Sequence, residues 1–270
     1  MHSSRLRNPF ILIVILFVFC GCGSHQFTKQ RVPFPIGDAT VEVRKIQSTN
    51  KKDPSEAVNY LFFNLHENEN TSVKAAKKFL KNRTGVLYYL HQKKKRNIVF
   101  NLNGETFKFD PNRIFTNEGI RKTLVRHGNF NRDAHREVKK FSDFLLRTMA
   151  HHEAEAYITL HNNSELAYSL ASYVPGGQYE KDAAKFHQNE SMDVDDFYFV
   201  TDSTFFRVLV AEDFNTILQD NANGTDDGSL SIYAGQHGIR YINVEAQHGH
   251  KDTQLKMIKV VDQLLYVPGS

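Results

Sequence analysis

Apolar positions along the chain fall into short continuous runs and longer runs of helical period, and their alternation predicts an α/β protein. The strand-like runs are Asn59–Leu65, Gly85–Leu90, Asn97–Leu102, Ile158–Leu160 and Tyr241–Glu245, while Phe197–Val200 fits strand or helix. Between them, Val73, Ala76, Phe79 and Leu80 share one helical face. So do Val138, Phe141, Phe144, Leu145 and Met149 within Asp133–His151, and Leu255, Ile258, Val261, Leu264 and Leu265 within Asp252–Tyr266. Asn70-Thr71-Ser72 supplies a cap for the first of these helices. Phe205–Val210 fits strand or helix. Residues 24–56 are polar and carry Pro33, Pro35 and Pro54, which predicts a tether and lead-in with one edge strand at Thr40–Arg44. Pro175 to Asp196 reads as a long loop and Asn221 to Asp227 as a turn region.

The amino-terminal end changes the picture. Arg5 and Arg7 precede an apolar stretch, Phe10 to Phe19, that is too short to span a bilayer, and this is the pattern of an export signal. Phe19-Cys20-Gly21-Cys22-Gly23-Ser24 resembles a bacterial lipobox, with Cys22 as the residue that would carry the lipid and anchor the protein to a membrane. The organisation expected is therefore a leader at 1–22, a tether and lead-in at 23–56 and one catalytic domain at 57–270, exported to the cell envelope. Both cysteines of the chain lie in the leader, so any metal in the mature domain must be held by His, Asp or Glu. The net charge is +4, or +2 once Arg5 and Arg7 are subtracted, which gives no electrostatic case for nucleic acid.

The candidate chemistry sits at strand ends, where open α/β sheets keep their ligands. The first strand delivers His66-Glu67-Asn68-Glu69, and a later one delivers His161-Asn162-Asn163. His, Glu, His is a recurring ligand set for catalytic zinc, three protein donors with a fourth position left for water, so the triplet His66, Glu69 and His161 reads as a metallohydrolase site for one Zn2+. Glu245 ends a third strand behind Ile242 and Val244, and suits a general base whose pKa is raised by partial burial. His248 and His250 form an alternative metal pair.

With these residues in hand, the chain resembles the zinc carboxypeptidase superfamily, nearest in motif spacing to its succinylglutamate desuccinylase and aspartoacylase branch. The resemblance rests on Leu65-His66-Glu67-Asn68-Glu69, Asp110-Pro111-Asn112-Arg113-Ile114-Phe115, Leu160-His161-Asn162-Asn163 and Val244-Glu245, and it extends from about Val58 to the end. It implies a three-layer α/β/α fold with a mixed, mostly parallel central sheet. It also implies zinc ligands at His66, Glu69 and His161, a general base at Glu245, and Asn112 with Arg113 holding the substrate carboxylate.

Two positions depart from the pattern. Glu67 stands where a small residue is usual, and Glu105 stands where the desuccinylase branch has a second arginine. Arg96 or Lys95 would substitute for that arginine at the spacing of the carboxypeptidase branch, as would Arg121, Arg126 or Arg132. Asp110 and Arg113 also read as a structural ion pair. Only 25 residues follow Glu245, enough for one helix, which favours the carboxypeptidase branch. The expected function is an exported zinc amidohydrolase or carboxypeptidase acting on a small peptide or N-acyl amino acid beside a free carboxylate, with peptidoglycan peptides in reach. The alternatives are an N-acyl-amino-acid deacylase and a non-catalytic envelope peptide-binding protein.

Overall fold

All five residues of β4 (Tyr60–Asn64) are buried because both faces of the strand are covered. Tyr60 and Phe62 point into one apolar core and Leu61 and Phe63 into the other. The computed structural model describes residues 15–16, 25–50, 60–152, 154–165 and 167–265.

The remaining strands are β1 (Ile15–Leu16), β2 (His25–Ile36), β3 (Ala39–Asn50), β5 (Gly85–His91), β6 (Ile98–Leu102), β7 (Glu105–Phe109), β8 (Tyr157–Asn163), β9 (Ala183–His187), β10 (Phe197–Val200), β11 (Thr216–Gln219) and β12 (Tyr241–Gln247). Ten of the twelve strands among the described residues form one mixed sheet in the order β1-β2-β3-β5-β4-β8-β12-β10-β11-β9, and β6 and β7 form a separate hairpin. The middle run β5-β4-β8-β12 is parallel. The sheet becomes antiparallel on both sides of it, at β3 against β5 and β10 against β12, and outside the centre only β10 and β11 pair in parallel, so the sheet is mixed as expected but its parallel pairs lie mainly in the middle.

Helices α1 (Asn70–Leu80), α4 (Ser203–Ala211) and α6 (Lys251–Leu265) supply buried residues to one core. Helices α2 (Asn117–Arg126), α3 (Arg132–Ala150) and α5 (Leu230–Gln236), with the β6–β7 hairpin, supply the other. The result is three layers. Continuous apolar strands are what such a doubly covered sheet requires. No helix among the described residues is long and apolar enough to cross a membrane.

Several expectations need correction. Residues 25–50 are not a tether: β2 and β3 form a hairpin joined to β5, and Ile36, Val41, Val43 and Ile46 are buried in the cores. The folded domain thus begins near His25 rather than at 57. Pro33 and Pro35 are tolerated because β1 pairs only with Lys29 and Gln30, leaving the far edge of β2 without a described strand at the prolines. Thr40–Arg44 belongs to β3, which is an interior strand. The Pro175–Asp196 stretch contains the edge strand β9, and Phe205–Val210 is helical within α4. The leader and Cys22 lie outside the described residues apart from Ile15–Leu16, as do residues 51–59.

One junction fixes the loop before α5. Gly228 adopts φ +77° and crosses Gly119 of α2 so closely that a Cβ on it would lie 2.4 Å from the Gly119 Cα and 2.7 Å from the Arg113 carbonyl oxygen. Any side chain there is strained twice, by conformation and by space. Gly228→Ala is expected to lower stability by about 2 kcal/mol or more, a fall in Tm of roughly 4–8 °C for a domain of this size. An unchanged thermal melt would contradict this packing.

Candidate metal centre

The parallel centre of the sheet brings the expected ligands together. His66 follows the end of β4, His161 lies on the neighbouring β8, and Glu69 is the N-cap residue of α1. The helix starts at Asn70 with no side-chain cap, so Glu69 spends its carboxylate on the histidines instead. All three residues are buried, at 0%, 2% and 5% exposure. His66 Nδ1 lies 2.8 Å from Glu69 Oε1, His161 Nδ1 lies 2.8 Å from Glu69 Oε2, and the two Nδ1 atoms are 3.2 Å apart.

These three residues can hold a metal ion. Two nitrogens bound to one tetrahedral zinc at its usual bond lengths stand about 3.3 Å apart, close to the separation found. The far nitrogen of His66, Nε2, is 2.7 Å from Asp110 Oδ1. A carboxylate behind a ligating imidazole fixes its tautomer and leaves the inner nitrogen's lone pair for the metal. The donor chemistry and its outer support therefore fit a divalent ion.

Buried amides hold this arrangement. Asn64 Nδ2 donates to Ser72 Oγ and to the Leu160 carbonyl, joining α1 to β8. Asn162 accepts from the Ser72 N–H and donates to Gln254 of α6, while Gln254 Nε2 donates to the His161 carbonyl. Periodicity alone did not single out these residues, because a buried amide on an apolar face resembles an interruption of the pattern.

Of the cations that could substitute for the missing arginine, Arg96 is the one that reaches the His66–Glu69–His161 group. Its Nη1 lies 2.6 Å from Glu69 Oε1 and its Nη2 lies 3.3 Å from Asp110 Oδ2. Glu67, a mismatch by sequence, holds the turn that carries Arg96: its carboxylate accepts from the backbone N–H groups of Gln92 and Lys94 and pairs with His91. Lys93 and Lys94 have φ of +42° and +54°, so the turn needs such an anchor. Glu105 accepts from Asn129 and Asn131 away from the site. Lys95, Arg126 and Arg132 are exposed, and Arg121 pairs with Glu118 on the surface of α2.

Glu245 lies on β12 directly opposite His161 in the parallel register and is 3% exposed. Asn243 Nδ2 donates to its Oε2 at 3.1 Å. Burial first, then the Glu69 charge, push its pKa up to about 8, against the effect of Asn243. Asn112 is turned inward: its Oδ1 accepts from the Leu230 N–H and its Nδ2 lies 3.4 Å from His161 Nε2. Arg113 Nε faces Asp227 Oδ2 at 3.3 Å, so it is not the ion-pair partner of Asp110, whose oxygens face His66 and Arg96. His248 and His250 face different partners, His248 toward Thr71 and His250 toward Asp196. His250 groups with Asp193 and Asp196, a second set able to hold an ion.

No family model matches the chain, and no curated protein matches it.

The metal-free site is balanced by protons. Burial opposes the charged form of His66, but Glu69 and Asp110 outweigh it and push its pKa up to about 9. Burial likewise opposes the Glu69 carboxylate, and the two histidines hold its pKa well below the usual range. Burial lowers the pKa of His161. A metal can take His66 Nδ1 only after a proton leaves. Affinity for a divalent ion should therefore rise about tenfold per pH unit between pH 6 and 8, with close to one proton released per ion. Calorimetry in buffers of different ionisation enthalpy checks this. An affinity independent of pH would exclude His66 as a ligand.

Proposed function

We propose that the protein is a zinc-dependent hydrolase of the carboxypeptidase kind that cleaves an amide beside a free carboxylate, exported and tethered at Cys22. The observation that carries this reading is the alignment of Glu245 with His161 on adjacent parallel strands, beside the buried His66–Glu69–His161 set. The three-layer arrangement with a parallel centre is compatible with a carboxypeptidase-like fold, and the site lies at the carboxyl ends of its central strands.

Zinc held by His66, Glu69 and His161 would act as a Lewis acid on the scissile carbonyl and make water a nucleophile near neutral pH. The chain's own residues supply the rest. Glu245 takes the proton of the attacking water and returns it to the leaving amine, and a pKa near working pH suits both transfers. Arg96 stands beside Glu69, where a guanidinium steadies negative charge developing on the carbonyl oxygen. Arg113 offers a planar fork to the substrate carboxylate. Asn112 acts indirectly, through His161 and the start of α5, rather than as a free donor. A tether in the envelope would place peptidoglycan stem peptides and scavenged peptides within reach.

Purified mature protein should bind one zinc and hydrolyse muropeptides or N-acyl amino acids in a chelator-sensitive reaction. Glu245→Gln is expected to cost about 10²–10⁴ in kcat while zinc binding persists. Full activity in that variant would overturn the mechanism. A second readout is independent of substrate. In the metal-free protein the folded state keeps the Glu245 proton between pH 4.5 and about 8, where the unfolded chain has lost it, so this group's contribution to stability falls as pH rises through that window. Glu245→Gln removes the fall, and should be more stable than wild type by on the order of 3–5 kcal/mol at pH 8, with little difference at pH 4.

A further inference from the structure

We propose that Arg113 and Asp227 together form a receptor for a zwitterion, so that the amine portion of the substrate is a diamino acid carrying a free ammonium close to its free carboxylate. The inference rests on the reading of the site as an amide hydrolase and narrows its substrate class.

The two charges face each other at 3.3 Å, with side chains 32% and 43% exposed. A fixed anion at that distance weakens the pull of the arginine on an incoming carboxylate, because like charges repel. A head group bearing both charges satisfies both residues. Arg113 takes the carboxylate and Asp227 takes the ammonium.

Both partners are held rigidly. Asp227 Oδ1 accepts from the Ser229 N–H at 2.9 Å, which turns Oδ2 toward Arg113. Arg113 Nη1 donates to the Asn112 carbonyl at 2.8 Å. The Phe115 N–H donates to the Gly228 carbonyl at 2.9 Å, and the Gly119–Gly228 crossing locks the two segments together. The pair also lies close to the proposed metal site: Asn112, whose carbonyl Arg113 holds, has its Nδ2 3.4 Å from His161 Nε2. The short separation of the two charges limits the ammonium to the carboxylate's own carbon or the next one.

The test uses zinc-loaded mature protein and two matched pairs of amides. In one pair a benzoyl peptide ends in 2,3-diaminopropionate or in alanine. In the other Nε-benzoyl-lysine is compared with 6-(benzoylamino)hexanoate. Wild type should prefer the ammonium-bearing member of at least one pair by about three- to tenfold in kcat/KM, the range of a half-exposed charge pair. Asp227→Asn should bring that ratio to about one, and Asp227→Glu should restore it, which separates recognition from misfolding.

A ratio unchanged by Asp227→Asn would overturn the proposal. So would an equal loss on both members, which would make Asp227 only an orienting partner of Arg113, or an equal gain, which would make it a competitor for the arginine. Calorimetric binding of the same four compounds to metal-free wild type and Asp227→Asn reads the preference without turnover. If none is hydrolysed but the binding preference follows Asp227, the hydrolase reading fails and the zwitterion site stands. If hydrolysis occurs with no preference, the reverse holds.

Discussion

The carboxylate of Glu69 is buried between two imidazoles, and much of the site's construction follows from the need to satisfy that charge. An unpaired carboxylate at this depth costs several kcal/mol, and removing one partner of a buried pair typically costs about 3–5 kcal/mol. His66 and His161 face its two oxygens, Arg96 contacts one of them from the solvent side, and Asp110 balances His66 and Arg96 in turn. The same constraint makes the site able to hold a metal, because it brings ligand atoms of two imidazoles and a carboxylate within 4.8 Å of one another. The sheet imposes the geometry. β4, β8 and β12 are consecutive parallel strands, so residues that end them are brought to one place however far apart they stand in the chain.

Around that centre the protein divides its charged groups into two sets. Arg96 is carried by a turn that Glu67, the residue after His66, anchors. Arg113 and Asp227 are carried by two segments bolted through Gly119 and Gly228. Glu245 stands beside His161 on the neighbouring strand, raised in pKa by burial and by Glu69. The reading of the site as a hydrolase depends on this separation, one cation beside the reacting carbonyl and one at the far end of the substrate.

The central strands and the long helices were legible in the sequence because burial on both sheet faces leaves continuous apolar runs, and because α3 and α6 repeat their apolar positions over several turns. His66, Glu69, His161 and Glu245 were legible because each stands at or just beyond the end of such a run. The β2–β3 hairpin was not: its outer strand carries two prolines and polar side chains, and among its apolar residues only Ile36, Val41, Val43 and Ile46 are buried. Helices α2 and α5 are short, at 10 and 7 residues, too brief for periodicity to rise above chance. Arg96 was one of several cations at plausible distances, and only the fold selects it. Asp227 had no local signal, since its pairing depends on a partner 114 positions earlier in the chain.

X-ray absorption at the zinc edge tests the central claim most directly. Protein loaded with one equivalent of zinc should show two imidazole nitrogens and carboxylate oxygen in the first shell, and His161→Ala should lose one imidazole together with most of the affinity. A first shell with a single imidazole, unchanged by His161→Ala and abolished by His250→Ala, would place the ion at Asp193, Asp196 and His250 instead and contradict the account.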